Sequence, residues 1–233
     1  MDKFQQNSLK AVIRPKNLSF QIKEQLLDAI TKGVFTVGDY LPSENKLVEI
    51  FHTSRGVVRE ALLMLSAKGL IEIKKGKGAK IIKPSVESLF DSFSLLVNHK
   101  CGDNGLKYTQ EVRRFIEPQI AAIAAQKRND RDIKKLENCI AKMEENKENI
   151  NKLSYYDIEY HKIIWAACGN PMFPIILEPI VHFLQTYHKN IFYNATSKLI
   201  DTTFEDHIQI LNAIKNNDAK SATKIMKKHL IYS

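Results

Sequence analysis

The stretch from Leu41 to Ile71, LPSENKLVEIFHTSRGVVREALLMLSAKGLI, decides how this chain folds. Pro42 favours extended backbone, and Ser43 can cap a helix that starts at about Glu44. Leu47, Ile50 and Phe51 give that helix an apolar face. His52 and Thr53 leave room only for a turn. Ser54 can cap a second helix, which carries Val57, Val58, Ala61, Leu62 and Leu65 along one side, and Gly69 stops it. Two short helices, a tight turn, and arginines at the start of the second helix make the helix-turn-helix plan.

Arg55 and Arg59 are four residues apart, so they share a face, and the apolar stripe lies opposite. A helix that packs by one side and presents two arginines near its N-terminus suits a major groove, because arginine can bridge guanine O6 and N7 with two hydrogen bonds. Solvated surface charges would explain an isolated pair as well; the flanking pattern favours a reading helix. Beyond it, Leu70–Lys75 alternates as a strand, Gly76–Gly78 can turn, and Ala79–Ile82 can return. Lys74, Lys75, Lys77 and Lys80 surround the tip of this two-stranded wing. An ordinary hairpin with solvated lysines is the plainer alternative.

The charge distribution agrees with a polyanion partner. Of 35 Lys+Arg and 26 Asp+Glu, residues 1–83 hold 15 and 8, a net of +7; residues 84–233 hold the remaining 20 and 18, a net of +2. The basic excess therefore sits with the helix-turn-helix. A length of 233 residues allows one large domain or two modest ones, and 44% apolar residues suffice for a core. Cys101, Cys139 and Cys168 are scattered, without metal spacing, and their odd number points to reduced thiols in a cytoplasmic protein. No apolar run approaches 18 residues, so no membrane span is expected.

Working outward, residues 1–16 are polar and basic, an expected mobile arm. A helix begins at about Ser19, with Ile22, Leu26 and Ile30 in step, and ends at Gly33; residues 34–39 turn into the central stretch. Lys83–Val86 reads as a linker, dividing the chain into a DNA-binding domain, 1–83, and a second domain, 84–233. The second domain is helical by period, over about 88–99, 107–127, 131–148, 154–168, 172–192, 198–216 and 219–231, with Leu95 and Leu96, Val112 and Ile116, and Ile176 and Leu177 among the apolar positions expected to face the core of the first, second and fifth of these helices. The expected fold is mainly α: an N-terminal winged helix-turn-helix, then an antiparallel all-α bundle of six or seven helices.

The bundle holds one constellation of ligand-type residues. Asp157 and His161 are four apart and face the same way. From the turn at Asn217, His207 lies ten residues back and His229 twelve residues on, about 15 and 18 Å along two helices, so they sit nearly level in a hairpin. One carboxylate and three imidazoles suit Zn²⁺, Ni²⁺ or Mn²⁺. Spacing alone is weak support, since a single helical histidine is more often core or surface than ligand.

These motifs resemble the GntR transcriptional regulators. The first domain carries Leu41-Pro-Ser-Glu44, Thr53-Ser-Arg55, Val58-Arg-Glu-Ala-Leu62 and Gly69-Leu-Ile71. Asn45 stands where that family often has an arginine that can touch DNA. The second domain resembles the FCD ligand-binding domain of the FadR branch, in Val112-Arg-Arg-Phe-Ile-Glu-Pro118, Asp157-Ile-Glu-Tyr-His161, Cys168-Gly-Asn-Pro171, His207-Ile-Gln-Ile-Leu-Asn-Ala213 and Met226-Lys-Lys-His-Leu230. The resemblance implies that Ser54, Arg55, Gly56 and Arg59 meet DNA from the reading helix, and that Lys75 and Gly76 form a wing tip in the minor groove. It implies a divalent metal on Asp157, His161, His207 and His229. It places Arg113 toward an effector cavity, although a salt bridge to a bundle carboxylate is the simpler role.

The expected protein is therefore a homodimeric DNA-binding regulator, acting as a repressor on a pseudo-palindromic double-stranded operator and controlled by a small organic acid at the metal. Two rivals stand beside it. One is a metal-dependent, hydrolase-like enzyme, against which stand the lack of a separate general base and the fused DNA-binding module. The other is a constitutive DNA-binding dimer with a purely structural metal. The pyridoxal-enzyme-like GntR branch needs a far longer second domain.

Overall fold

The computed structural model describes residues 17–187 and 197–231. The expected arm at 1–16, the end of the helix expected to reach residue 192, and His188 lie outside the described residues. The chain divides into two compact units, residues 1–88 and 89–233.

The first unit contains α1 (Leu18–Thr31), α2 (Glu44–Phe51), α3 (Arg55–Ala67), β1 (Ile71–Lys74) and β2 (Gly78–Ile81). Each helix starts on a side-chain cap, which satisfies a backbone N–H that would otherwise lack a partner. Asn17 accepts from Ser19, Ser43 from Lys46 and Ser54 from Val57. Between α2 and α3, His52 adopts a left-handed conformation, φ +47°, and its N–H reaches the Val48 carbonyl. A non-glycine residue there costs about 1–3 kcal/mol, and the shared core of α2 and α3 holds it. That core is Ile22, Leu26, Leu41, Leu47, Val58, Ala61, Leu62, Leu65, Ile71, Ala79 and Ile81.

β1 and β2 pair antiparallel, with Ile71 opposite Ile81 and Lys74 opposite Gly78. The turn closes with Lys77 N–H donating to the Lys74 carbonyl, and Gly76 supplies the φ of +75° that a side chain would resist. The segment expected to be only a turn does more. Gly38 N–H donates to Ile81, Ile81 N–H to Asp39 and Leu41 N–H to Ala79, so residues 38–41 lie along the outer edge of β2. This pairing satisfies an edge that would otherwise be open and sinks Leu41 into the core. Ile50, expected on the apolar face of α2, is exposed.

The second unit contains seven helices among the described residues: α4 (Phe90–Cys101), α5 (Gly105–Lys127), α6 (Asp130–Glu145), α7 (Ile150–Ala167), α8 (Met172–Tyr187), α9 (Ser197–Lys215) and α10 (Ala219–His229). The helix expected to reach residue 148 ends at Glu145. α5 is central, packed by α4, α7, α8, α9 and α10. Ala121, Ala124 and Ala125 on α5 are wholly buried, small enough to let neighbouring helices come close. Asn129 and Asp132 form a capping box on α6, and Asp218 caps α10 across the three-residue turn after α9. Two arginines close the far helix ends. Arg128 donates to the Ile214 and Lys215 carbonyls, and Arg114 to the Leu230 carbonyl, each a cation at a helix C-terminus. This bracing sets α9 and α10 at fixed heights against α5, and those heights help align the cluster described next.

Several residues expected inside the bundle lie on its surface. Leu95 and Leu96 on α4 are exposed, and so are Val112 on α5 and Ile176 on α8. Tyr108, Val112 and Phe115 recur at helical spacing on one side of α5, and Phe115 is 83% exposed.

Candidate metal centre and nucleic-acid interface

The first unit presents its candidate DNA contacts to solvent. Ser54, Arg55, Gly56 and Arg59 are all exposed, while Val58, Ala61, Leu62 and Leu65 of the same helix are buried. The packing therefore turns both arginines outward, as the i, i+4 spacing predicts. Lys75 and Gly76 are exposed at the hairpin tip. Neighbouring Lys74 pairs with Glu72 at 3.2 Å, which leaves Lys75 the simpler cation for a phosphate or a groove.

In the second unit, three helices bring four side chains to one buried point. α7 supplies Asp157 and His161, α9 supplies His207 and α10 supplies His229. Each offers one donor atom, and the four lie within 4.8 Å of one another. His161 and His229 are stacked, with Nε2 atoms 3.1 Å apart. His207 Nε2 lies 3.2 Å from Asp157 Oδ1, and its ring centroid is 4.5 Å from that of His229. Tyr160 on α7 holds α9 in register: its hydroxyl donates to the His207 carbonyl at 2.8 Å, and its ring meets the His207 ring edge-on.

This arrangement fits a metal by an internal test. Asp157 Oδ1, both nitrogens of His207 and Nδ1 of His229 are buried without an aligned hydrogen-bond partner; the 3.2 Å contact of Asp157 with His207 is close but poorly aligned. Buried polar atoms left so cost about 1–3 kcal/mol each, and a cation at the cluster would remove that cost for Asp157 Oδ1 and for one nitrogen of His207. Protonation states agree. Burial, with His207 and His161 beside it, holds His229 well below the ordinary histidine range, so it keeps a lone pair. Burial would raise the Asp157 carboxyl, but His207 at 3.2 Å, with His161 beside it, outweighs this and holds it well below the usual carboxylate range. Neutral imidazoles and an ionised carboxylate are the forms that ligate. A cavity of about 10 Å³ adjoins the cluster, lined by Met143, Leu153, Ile200, Thr203 and Phe204 with Asp157 and His207.

Arg113 is buried on α5, and its Nε donates to Glu117 Oε1 at 2.5 Å. The bundle carboxylate weighed as its partner is thus Glu117, a residue the sequence reading did not single out. Glu117 is fully buried, and its Oε2 lies 2.6 Å from His161 Nδ1, close but off the ideal hydrogen-bond line. Burial pushes the Glu117 carboxyl up, and the charge of Arg113, with His161 on its other oxygen, more than offsets this, holding it at about 2. The available signal was the i, i+4 pair Arg113 and Glu117 on an otherwise apolar helix face. Among the cysteines, Cys139 is buried and donates to the Tyr156 carbonyl, and burial pushes its thiol up to about 12; all three cysteines are free.

Residues 18–81 match the bacterial regulatory proteins, gntR family, and residues 109–231 match the FCD domain. The HTH-type transcriptional repressor NanR of Edwardsiella tarda (strain FL6-60) is 28% identical over 216 residues, covering 92% of this chain and 83% of that protein. NanR of Escherichia coli (strain K12) is 27% identical over 216 residues, covering 92% and 82%. Among solved structures, Streptococcus agalactiae GntR shares the fold, with a TM-score of 0.74 at 23% identity over 92% of this chain and 97% of that one. No described helix is long and apolar enough to cross a membrane. With a GntR helix-turn-helix in its first unit and an FCD domain across most of its second, the chain belongs to the GntR family of bacterial regulatory proteins: it is a DNA-binding transcriptional regulator, not an enzyme.

Proposed function

We propose that the protein is a cytoplasmic homodimeric repressor whose grip on a pseudo-palindromic operator is controlled by a small organic acid bound at a divalent metal. Residues 1–83 would hold the DNA. Arg55 and Arg59 would read base edges in the major groove, with Ser54 and Gly56 against the backbone at the N-terminus of α3. Lys75 and Gly76 would enter the minor groove from the wing. Residues 84–233 would hold the metal on Asp157, His161, His207 and His229. Zn²⁺, Ni²⁺ and Mn²⁺ all suit three imidazoles and a carboxylate. One reading helix covers only a half-site, so useful specificity requires a pair of copies. The exposed row of Tyr108, Val112 and Phe115 supplies an apolar face for such pairing.

The observation that carries the proposal is the buried four-residue cluster with unpartnered donor atoms. The relatives named as NanR repressors favour repression. A four-ligand set leaves up to two octahedral positions for a carboxylate, and the terminal nitrogens of Arg113 are the part of that side chain an effector carboxylate would meet. The adjoining cavity is about 10 Å³, the size of a single water, so an effector would have to push Ile200, Thr203 and Phe204 of α9 aside. That displacement is a route by which binding could change the pairing of two copies and the spacing of their reading helices.

The small cavity also favours a second reading, a constitutive dimer with a structural metal. An operator selected from a random DNA pool, followed by anisotropy titrations with zinc and a panel of small organic acids, separates the two. The proposal expects one class of acid to weaken operator binding only when zinc is present, and the same acid to bind less tightly to the DNA complex, as reciprocity requires. Operator binding that no acid alters would favour the structural metal; no sequence-selective binding at all would overturn both.

A further inference from the structure

Glu117 touches the cluster from α5, a helix that contributes none of the four donors. Its two oxygens have different tasks. Oε1 accepts from Arg113 Nε at 2.5 Å, and Oε2 lies 2.6 Å from His161 Nδ1. Neither Glu117 nor His161 has any exposed surface, so water does not compete for either contact. His161 thus meets Glu117 with one ring nitrogen and faces His229 with the other, Nε2 to Nε2 at 3.1 Å.

A neutral imidazole carries one ring proton, and an ionised carboxylate can only accept. With a carboxylate at Nδ1, the proton belongs on Nδ1 and the lone pair on Nε2, aimed into the cluster. Were the tautomer reversed, two lone-pair atoms would be buried face to face at the Glu117 contact. We propose that Glu117 is the positioning residue of the metal centre: it accepts the Nδ1–H of His161, fixing the tautomer and ring orientation that present Nε2 to a divalent cation, and Arg113 braces it from behind. The inference rests on the metal reading given above. It assigns Arg113 a task, holding Glu117, that does not depend on any effector.

The test uses full-length protein without a histidine tag, stripped by a chelator and labelled with ¹⁵N-histidine. Long-range proton–nitrogen correlation reports which nitrogen of each imidazole bears the proton, and a His161→Gln sample assigns the signal. His161 is expected in the Nδ1–H form. Zinc affinity is then measured by competition with a chromophoric chelator. Because removing one member of a buried ion pair can unfold a domain, the chosen variant replaces both, Arg113→Met with Glu117→Leu, apolar residues of similar size. Zinc is expected to bind about 10–100-fold more weakly, the usual range for losing such an outer partner, with the His161 tautomer becoming mixed. An Nε2–H form of His161 in the wild type overturns the proposal, and so does a folded double variant with unchanged zinc affinity. If the double variant does not fold, the wild-type tautomer decides. A wild type that takes up no zinc would defeat the metal reading, and the tautomer would still report whether Glu117 holds His161.

Discussion

Returning zinc to metal-free protein should stabilise the second unit by an amount that can be worked out beforehand. A ligand that binds only the folded state contributes RT ln(1 + [L]/Kd), about 2.7 kcal/mol at a hundred times Kd. The unit spans residues 89–233, which is 145 residues. At about 2.1 cal/mol/K per residue its unfolding entropy is about 0.3 kcal/mol/K. The expected rise in Tm is therefore about 9 °C. His229→Ala removes one of four donors, and His229 is wholly enclosed, with Nε2 3.1 Å from that of His161. If this weakens zinc binding roughly a thousandfold, on the order of 4 kcal/mol, the same zinc concentration raises Tm by less than about 1 °C. Absolute Tm values are the wrong comparison, because the variant also gains a void and loses a buried imidazole; the zinc-dependent increment is the right one. The chain has a single tryptophan, Trp165, buried in this unit, so its fluorescence follows the relevant transition without interference from the DNA-binding unit. A wild-type increment near zero at saturating zinc, or an equal increment in His229→Ala, would refute the reasoning.

Three further outcomes follow from the same structure. Arg55→Ala and Arg59→Ala should each weaken selected-operator binding by about 1–3 kcal/mol, with folding unchanged because both side chains are exposed; operator titrations identical to wild type would mean that α3 is not the reading helix. Lys75→Ala should weaken binding to operator and random DNA alike and flatten the salt dependence by about one unit of slope; a loss confined to the operator would contradict a contact made mainly to charge. In chelated protein, the second unit should lose stability as pH falls below about 6.5, because unfolded His229 takes up a proton that the buried, neutral residue refuses. A further loss should follow from about 4.5 toward about 2, as Glu117 is protonated when unfolded but stays ionised in the fold. In both windows the unfolded chain binds more protons, so the sign is the same; denaturant titrations at pH 5 and pH 7.5 that agree would exclude the His229 contribution.

The parts legible in the sequence were those set by local rules. Ser43, Ser54 and Gly69 mark helix ends through caps and left-handed turns that depend on few neighbours, so α2, α3 and their turn could be read directly. The four-residue cluster was legible because Asp157 and His161 share a helix face, and because a three-residue turn fixes the heights of His207 and His229. Glu117 was hidden for the opposite reason: its role depends on α5 packing against α7, which no local pattern specifies. The strand-like path of residues 38–41 was hidden too, since its partner is β2, some forty residues further on. Leu95, Leu96 and Val112 were misplaced because periodicity marks an apolar face without saying whether this chain or another covers it.

The central claim is that Asp157, His161, His207 and His229 hold one divalent ion. Its most direct test is elemental analysis of the full-length protein, purified without a histidine tag or chelator and then titrated with Zn²⁺, Ni²⁺ and Mn²⁺. The structure predicts close to one divalent ion per chain, as purified or after titration, and loss of that ion in His207→Ala and His229→Ala. Wild-type protein with no stoichiometric metal, and none taken up on titration, would contradict the claim, while the DNA-binding assignment of the first unit would stand.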